Sequence, residues 1–141
     1  MDHPYKTRAG GATVTVFVPY DCANHCPFCI NKKEYADCSG FSLEAILRSI
    51  RIMDSITPAC DFVFTGGEPL IRKKDIIRLC EKHKDVAFHA FTNGTLIDEK
   101  FCEDLLRVGN FFVSVSIEGF EESNDGRRGE GHYHKALAAM D

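Results

Sequence analysis

The chain contains no tryptophan, few prolines, and no apolar run long enough to cross a bilayer. The apolar stretch nearest the N-terminus, Ala12 to Val18, is only strand length and lacks the flanks of a signal peptide. Positive charge is not in excess either. Lys and Arg number 17 against 21 Asp and Glu, a net charge of −4, so nucleic acid is unsupported as an obligatory partner. No low-complexity segment or internal sequence repeat is present. Cysteine, in contrast, is abundant: seven residues, an odd number. A secreted disulfide scaffold would be shorter and poorer in periodic helices, so metal-bound thiolates and free buried thiols in a reducing cytoplasm are expected. The 141 residues, 44% hydrophobic and 27% charged, suit one globular domain with a real core and no membrane segment.

Apolar strand-like runs alternate with amphipathic helical runs along the chain. Residues 1–11 read as a polar, flexible lead-in. The first strand ends near Val18. Ser42 is a good N-cap for a helix with Leu43, Ile46, Leu47, Ile50 and Met53 on its apolar face. Phe62–Phe64 is the second strand, followed by a helix over Lys73–Lys82 with Ile76, Ile77 and Cys80 inward. Val86–Phe91 is the third strand. Asp98 caps a helix with Phe101, Cys102, Leu105 and Val108 on one face, and Gly109 stops it. Phe111–Ile117 is the fourth strand. A polar connection from Gly119 to Gly131 leads into a last helix with Tyr133, Leu137 and Met140 on one stripe. Four β/α units in succession predict an α/β fold with a parallel sheet and right-handed crossovers.

Each chemistry-bearing motif falls where a strand ends: the cysteine loop, Thr65-Gly66-Gly67-Glu68-Pro69, Thr92-Asn93-Gly94-Thr95, and Ser116-Ile117-Glu118-Gly119. Parallel α/β folds bind ligands at that end of the sheet. The cysteine loop, Cys22-Ala23-Asn24-His25-Cys26-Pro27-Phe28-Cys29, places three cysteines within eight residues. These thiolates suit an iron–sulfur cluster with one iron left for an outside ligand. They also suit a structural zinc site completed by His25 or Cys38, in a module without turnover. The glycine pair permits close backbone approach to a ligand, or a tight turn and nothing more. Ser116 and Glu118 flank Ile117 and point to one side of a strand.

Cys-x3-Cys-x2-Cys with Phe28 before the last cysteine resembles the motif of the radical S-adenosylmethionine (radical SAM) superfamily. The resemblance extends through Gly66-Gly67-Glu68-Pro69, Ser116-Ile117-Glu118-Gly119 and Asp125-Gly126-Arg127-Arg128-Gly129, from about Val14 to Met140. It implies a partial parallel β/α barrel in which Cys22, Cys26 and Cys29 hold a [4Fe-4S] cluster. It further implies S-adenosylmethionine as cofactor, cleaved reductively to a 5′-deoxyadenosyl radical that removes hydrogen from a substrate.

Phe28, Gly66, Gly67, Glu68, Pro69, Thr92, Asn93, Ser116, Glu118 and Arg128 are the implied cofactor-binding residues. Glu68 and its turn would take the amino group, and Arg128 the carboxylate. The glutamate at 118 replaces a commoner aspartate. The Asp-x-x-Arg-Gly element resembles that of peptide- and protein-modifying members, and an electron donor such as flavodoxin or ferredoxin is an implied partner. The family domain has six β/α units, and two more would need about 60 residues. The four seen here therefore predict a fragment, or a fourth-strand edge covered by a further segment or an oligomer. Cys60, Cys80 and Cys102 read as buried hydrophobes, His89 as a satisfied core histidine, and Arg127 and the Arg72–Lys84 run as solvated charge.

Overall fold

Continuous apolar strands separated by amphipathic helices should build a sheet covered by helices, and the computed structural model has that architecture. It describes residues 12–18, 22, 24–29, 43–56 and 60–141. The lead-in 1–11, Cys38 and the cap Ser42 lie outside the described residues. The elements are β1 (Ala12–Val18), α1 (Leu43–Ile56), β2 (Cys60–Gly66), a 3-10 turn (Pro69–Arg72), α2 (Lys73–Lys82) and β3 (Ala87–Thr92). They continue with α3 (Glu99–Val108), β4 (Phe111–Val115), α4 (Glu121–Arg128) and α5 (His132–Met140). The four strands are parallel in the order β1-β2-β3-β4. Registers Val18↔Gly66, Phe64↔Ala90 and Thr92↔Val115 bring all four C-terminal ends to one level.

Alternation decides what each strand buries. Val16, Phe62, Phe64, Phe88, Ala90 and Phe111 face the helices and form one cluster with Leu70, Ile76, Leu79, Cys80, Phe101 and Val108. The Phe88 ring lies 5.8 Å from Phe62 and 6.1 Å from Phe64, centroid to centroid. Burial pushes the Cys80 thiol up to about 12, so this cysteine is an inert core group, as expected. Cys60 opens β2.

The opposite face carries His89, Phe91 and Phe112. His89 is hydrogen-bonded to Ser114 Oγ at 2.8 Å and stacks on Phe112 at 4.3 Å. It is satisfied, as the sequence predicts, but half-buried on the face away from the helix core.

Local chemistry fixes the element ends. Asp98 caps α3 by accepting from the Phe101 N–H at 2.8 Å, and its other oxygen pairs with Lys73 Nζ at 2.6 Å. Asn110 donates to the carbonyls of His83 (2.8 Å) and Val86 (2.9 Å), tying the end of α2 to the start of β3. Gly94 (φ +81°) admits no side chain. A Cβ there would sit 2.9 Å from Val115 Cγ1 and 3.5 Å from Ala139, so α5 closes directly onto this turn.

Several expectations need correction. β4 ends at Val115, not Ile117, and the Gly119–Gly131 connection contains a helix, α4. Its two acidic residues in the first turn and two arginines in the last complement the helix dipole, a signal that polarity obscured. Cys102 is exposed, because α3 buries Phe101 and Val108, and Cys102 lies about 100° around the helix from Phe101. On α5 the buried residues are His132 and Ala136, while Leu137 and Met140 are exposed. Close approach to Gly94 selects the small-residue face over the bulky one. Lys73 and Lys84 are not merely solvated: Lys73 ties α2 to Asp98, and Lys84, just past α2, donates to the Val108 carbonyl.

Truncating the Phe88 ring, which packs between two other buried rings, should cost about 3–5 kcal/mol. Urea unfolding of Phe88→Ala measures it. Exposed Leu106→Ala should stay within about 0.5 kcal/mol of the parent.

Candidate functional site

The site begins with a carboxylate almost wholly withdrawn from water. Glu68 is 3% exposed and lies just past β2, where Gly66 (φ +121°) turns the chain. Glu68 Oε1 accepts from the Leu70 N–H (3.0 Å) and from Thr92 Oγ1 (2.6 Å), and Oε2 accepts from the Asn93 N–H (2.8 Å). One side chain thus caps the 3-10 turn and locks the end of β3 to the end of β2. A carboxylate offers about four acceptor positions. Three are filled by the chain, leaving one on Oε2.

The cysteine loop folds over this latch. Pro27 and Phe28 are the central residues of a turn closed by the Cys29 N–H on the Cys26 carbonyl at 3.2 Å, with proline at its favoured position. Cys22, Cys26 and Cys29 are free thiols, Cys26 buried and the others half-buried. Burial, aided by the nearby Glu68 charge, raises the Cys22 thiol above its ordinary value, opposed by hydrogen bonds from the Asn24 N–H and the Asn93 amide. Phe28 anchors the loop to α4, its ring lying 4.4 Å from the Arg127 guanidinium and 5.6 Å from that of Arg128.

These parts enclose a cavity of about 360 Å³ at the C-terminal end of the sheet. Its wall includes Cys22, Cys26, Phe28 and Cys29 from the loop, Gly66, Gly67 and Glu68 at and just past the end of β2, Thr92 and Asn93 at and just past the end of β3, and Ser116 and Arg128. Eleven of the thirteen residues singled out in the sequence therefore meet. Pro69 and Glu118 are not among those lining it. Pro69 is buried as the first residue of the 3-10 turn. Glu118 lies beyond the end of β4, so strand alternation no longer aims it alongside Ser116. It pairs instead with Arg128 at 2.5 Å and Arg127 at 3.5 Å. Arg127 is accordingly a partner of Phe28 and Glu118, not simply solvated charge.

The donor set fits an iron–sulfur group. Three soft sulfurs share one cavity wall, and cysteine thiolates are the usual ligands of such clusters.

Two further donors await an acceptor. Asn24 Nδ2 and Arg128 Nε are buried without a hydrogen-bond partner, and both residues line the cavity. Buried unpaired donors of this kind are rare and signal a missing acceptor.

Sequence reasoning missed Asn24 and also His132. His132 is 3% exposed. Its Nε2 donates to the Asn93 carbonyl (2.9 Å), and its Nδ1 accepts from Asn124 Nδ2 (3.0 Å). Asn124 Oδ1 accepts from the Glu118 N–H (3.0 Å), which fixes the amide's orientation. Asp125, expected as part of an Asp-x-x-Arg-Gly element, caps α5 by accepting from the Gly131 (2.6 Å) and Tyr133 (2.7 Å) N–H groups. A buried histidine beside an unread helix left no periodic signal in the sequence.

The chain belongs to the radical SAM superfamily, whose family model matches residues 16–141. It is similar to the Fe-coproporphyrin III synthase of Methanosarcina barkeri, 40% identical over 81 residues, spanning 55% of this chain and 20% of that protein. It is similar also to the PqqA peptide cyclase of Granulibacter bethesdensis, 30% identical over 112 residues, spanning 77% of this chain and 29% of that one. Among solved structures it resembles native anSMEcpe with bound AdoMet and Cp18Cys peptide, with a TM-score of 0.71 and 26% identity over 92% of this chain and 39% of that one. The chain thus spans well under half the length of these relatives. The fold is four parallel β/α units of a partial barrel. Among the described residues no helix is long and apolar enough to cross a membrane.

Removing the latch should be costly. Glu68→Ala strands three buried donors and should destabilise the chain by about 3 kcal/mol or more. Glu68→Gln keeps one acceptor and should cost less, with both read from urea midpoints. Burial holds the His132 and His89 rings below their ordinary values. The unfolded chain therefore binds more protons on acidification. Stability should be complete above about pH 6.5 and fall below it. His132→Gln, which keeps a donor toward Asn93, should flatten that decline in urea midpoints taken at about pH 7.5 and about pH 5.5.

Proposed function

We propose that this chain is the cofactor-binding part of a radical SAM enzyme, with Cys22, Cys26 and Cys29 as ligands of a [4Fe-4S] cluster. The observation that carries this reading is the convergence of three free thiols, the Gly66-Gly67-Glu68 turn, Asn24 and Arg128 on one cavity. When bound, the cluster supplies the electron that splits S-adenosylmethionine into methionine and a 5′-deoxyadenosyl radical.

The chain's own residues bind and orient. Glu68 has one acceptor position left, which would take one of an ammonium group's donors. Arg128 Nε and the Asn24 amide would take the carboxylate, with Glu118 and Phe28 holding the guanidinium in place. Ser116 and Thr92 stand at neighbouring strand ends beside the remaining volume. Buried Cys26 limits water on the loop side.

A peptide or protein is the substrate class the Asp125–Gly129 element and the peptide-acting relatives favour. The Fe-coproporphyrin III synthase relative names a tetrapyrrole as the competing class. A low-potential donor such as flavodoxin or ferredoxin would deliver the electron, and an oxygen-sensitive cluster suits a reducing cytoplasm.

Anaerobic reconstitution with iron and sulfide tests the reading. The reduced protein should give a [4Fe-4S] EPR signal that shifts on adding S-adenosylmethionine and is absent in Cys26→Ala. A chain that instead retains one tightly held zinc and gives no cofactor-dependent signal is a structural metal module.

A further inference from the structure

Asn93 is held at every polar atom but one. Its N–H is bound by Glu68 Oε2 (2.8 Å) and its carbonyl by His132 Nε2 (2.9 Å). Its side-chain Oδ1 accepts from the Thr95 N–H (2.9 Å) and Thr95 Oγ1 (2.7 Å), an Asx turn. Each contact comes from a different direction, so neither the backbone nor the amide plane can rotate freely. What remains is Nδ2, which is directed at Cys22 Sγ, 3.7 Å away. The residue is 6% exposed, so little of it meets solvent.

Amide donors on cluster sulfurs withdraw charge from them. The reduced state carries one more negative charge, so it gains more from such a bond than the oxidised state does. The strength of the effect depends on how rigidly the donor is fixed. Here the fixing is elaborate: Asn124 holds His132 Nδ1, and its own amide is oriented by the Glu118 N–H.

On the cluster reading above, we propose that Asn93 is a positioning residue whose amide donates an N–H···S bond to Cys22. This bond raises the cluster's reduction potential, and His132 sets its geometry from behind. The turn-forming role of Asn93 alone would need only Oδ1. The His132 clamp on the carbonyl serves the direction of the other end of the amide.

The experiment is an EPR-monitored redox titration of the reconstituted full-length protein and three variants. Asn93→Ser keeps an oxygen that can accept from the Thr95 N–H, adds no charge and is too short to reach Cys22. Its reduced-to-oxidised ratio at a fixed potential should drop about tenfold, which is about 59 mV for a one-electron couple. His132→Phe should shift the potential in the same direction by less, and His132→Gln, which retains a donor, should restore it.

Asn93→Ser loaded with four irons but titrating at the parent potential overturns the proposal and leaves the cluster reading intact. If Asn93→Ser does not hold a cluster, the His132 pair decides. Equal potentials in His132→Phe and the parent overturn the proposal, and a shift present in Phe and absent in Gln supports it. A parent protein with no [4Fe-4S] signal at all is the separate failure of the cluster reading.

Discussion

A single buried carboxylate organises this end of the sheet. Burying an anion is unfavourable unless donors compensate it. Glu68 meets that condition by drawing in Leu70, Thr92 and Asn93 from two successive strand–helix connections. The cost of desolvation thus enforces geometry: the ends of β2 and β3 cannot drift apart without exposing a charge or orphaning its partners. The cavity, the cysteine loop and the Asn93 clamp all rest on that constraint.

A second polar layer lies behind the first. Asn124, His132, Asp125 and Glu118 carry hydrogen bonds from α4 and α5 to the end of β3. The helices that the barrel architecture places outside the sheet thereby reach the site. Arg127 and Arg128 complete the circuit by returning from α4 to Phe28 in the cysteine loop. The site is closed by residues from the first and fourth β/α units, with the second and third supplying its floor.

The sheet was legible because parallel strands are buried on the helix side and read as apolar runs. Phe62–Phe64 and Phe111–Val115 are unmistakable in that respect. The strand-end location of the motifs was legible for the same reason. Helix α4 was not, since its eight residues lack an apolar stripe and its stability comes from end charges and the contacts of buried Asn124. The stripe on α5 misled because bulk predicts the buried face only where the partner surface has room, and Gly94 leaves none. Glu118 misled because alternation stops where the strand does. His132 could not be read at all: its burial depends on hydrogen-bond partners distant in sequence, which no local pattern encodes.

The cysteine loop and the amide that touches it are separated by 71 positions, and its arginine partners lie farther still along the chain. Protein synthesis proceeds at roughly 5–20 residues per second. The three thiols therefore emerge from the ribosome on the order of ten seconds before the groups that seat them. During that interval the loop lacks the Asn93, Arg127 and Arg128 contacts that flank it in the folded chain. Any metal group this loop takes up therefore meets the loop's finished shape only once the fourth strand and its helices are in place.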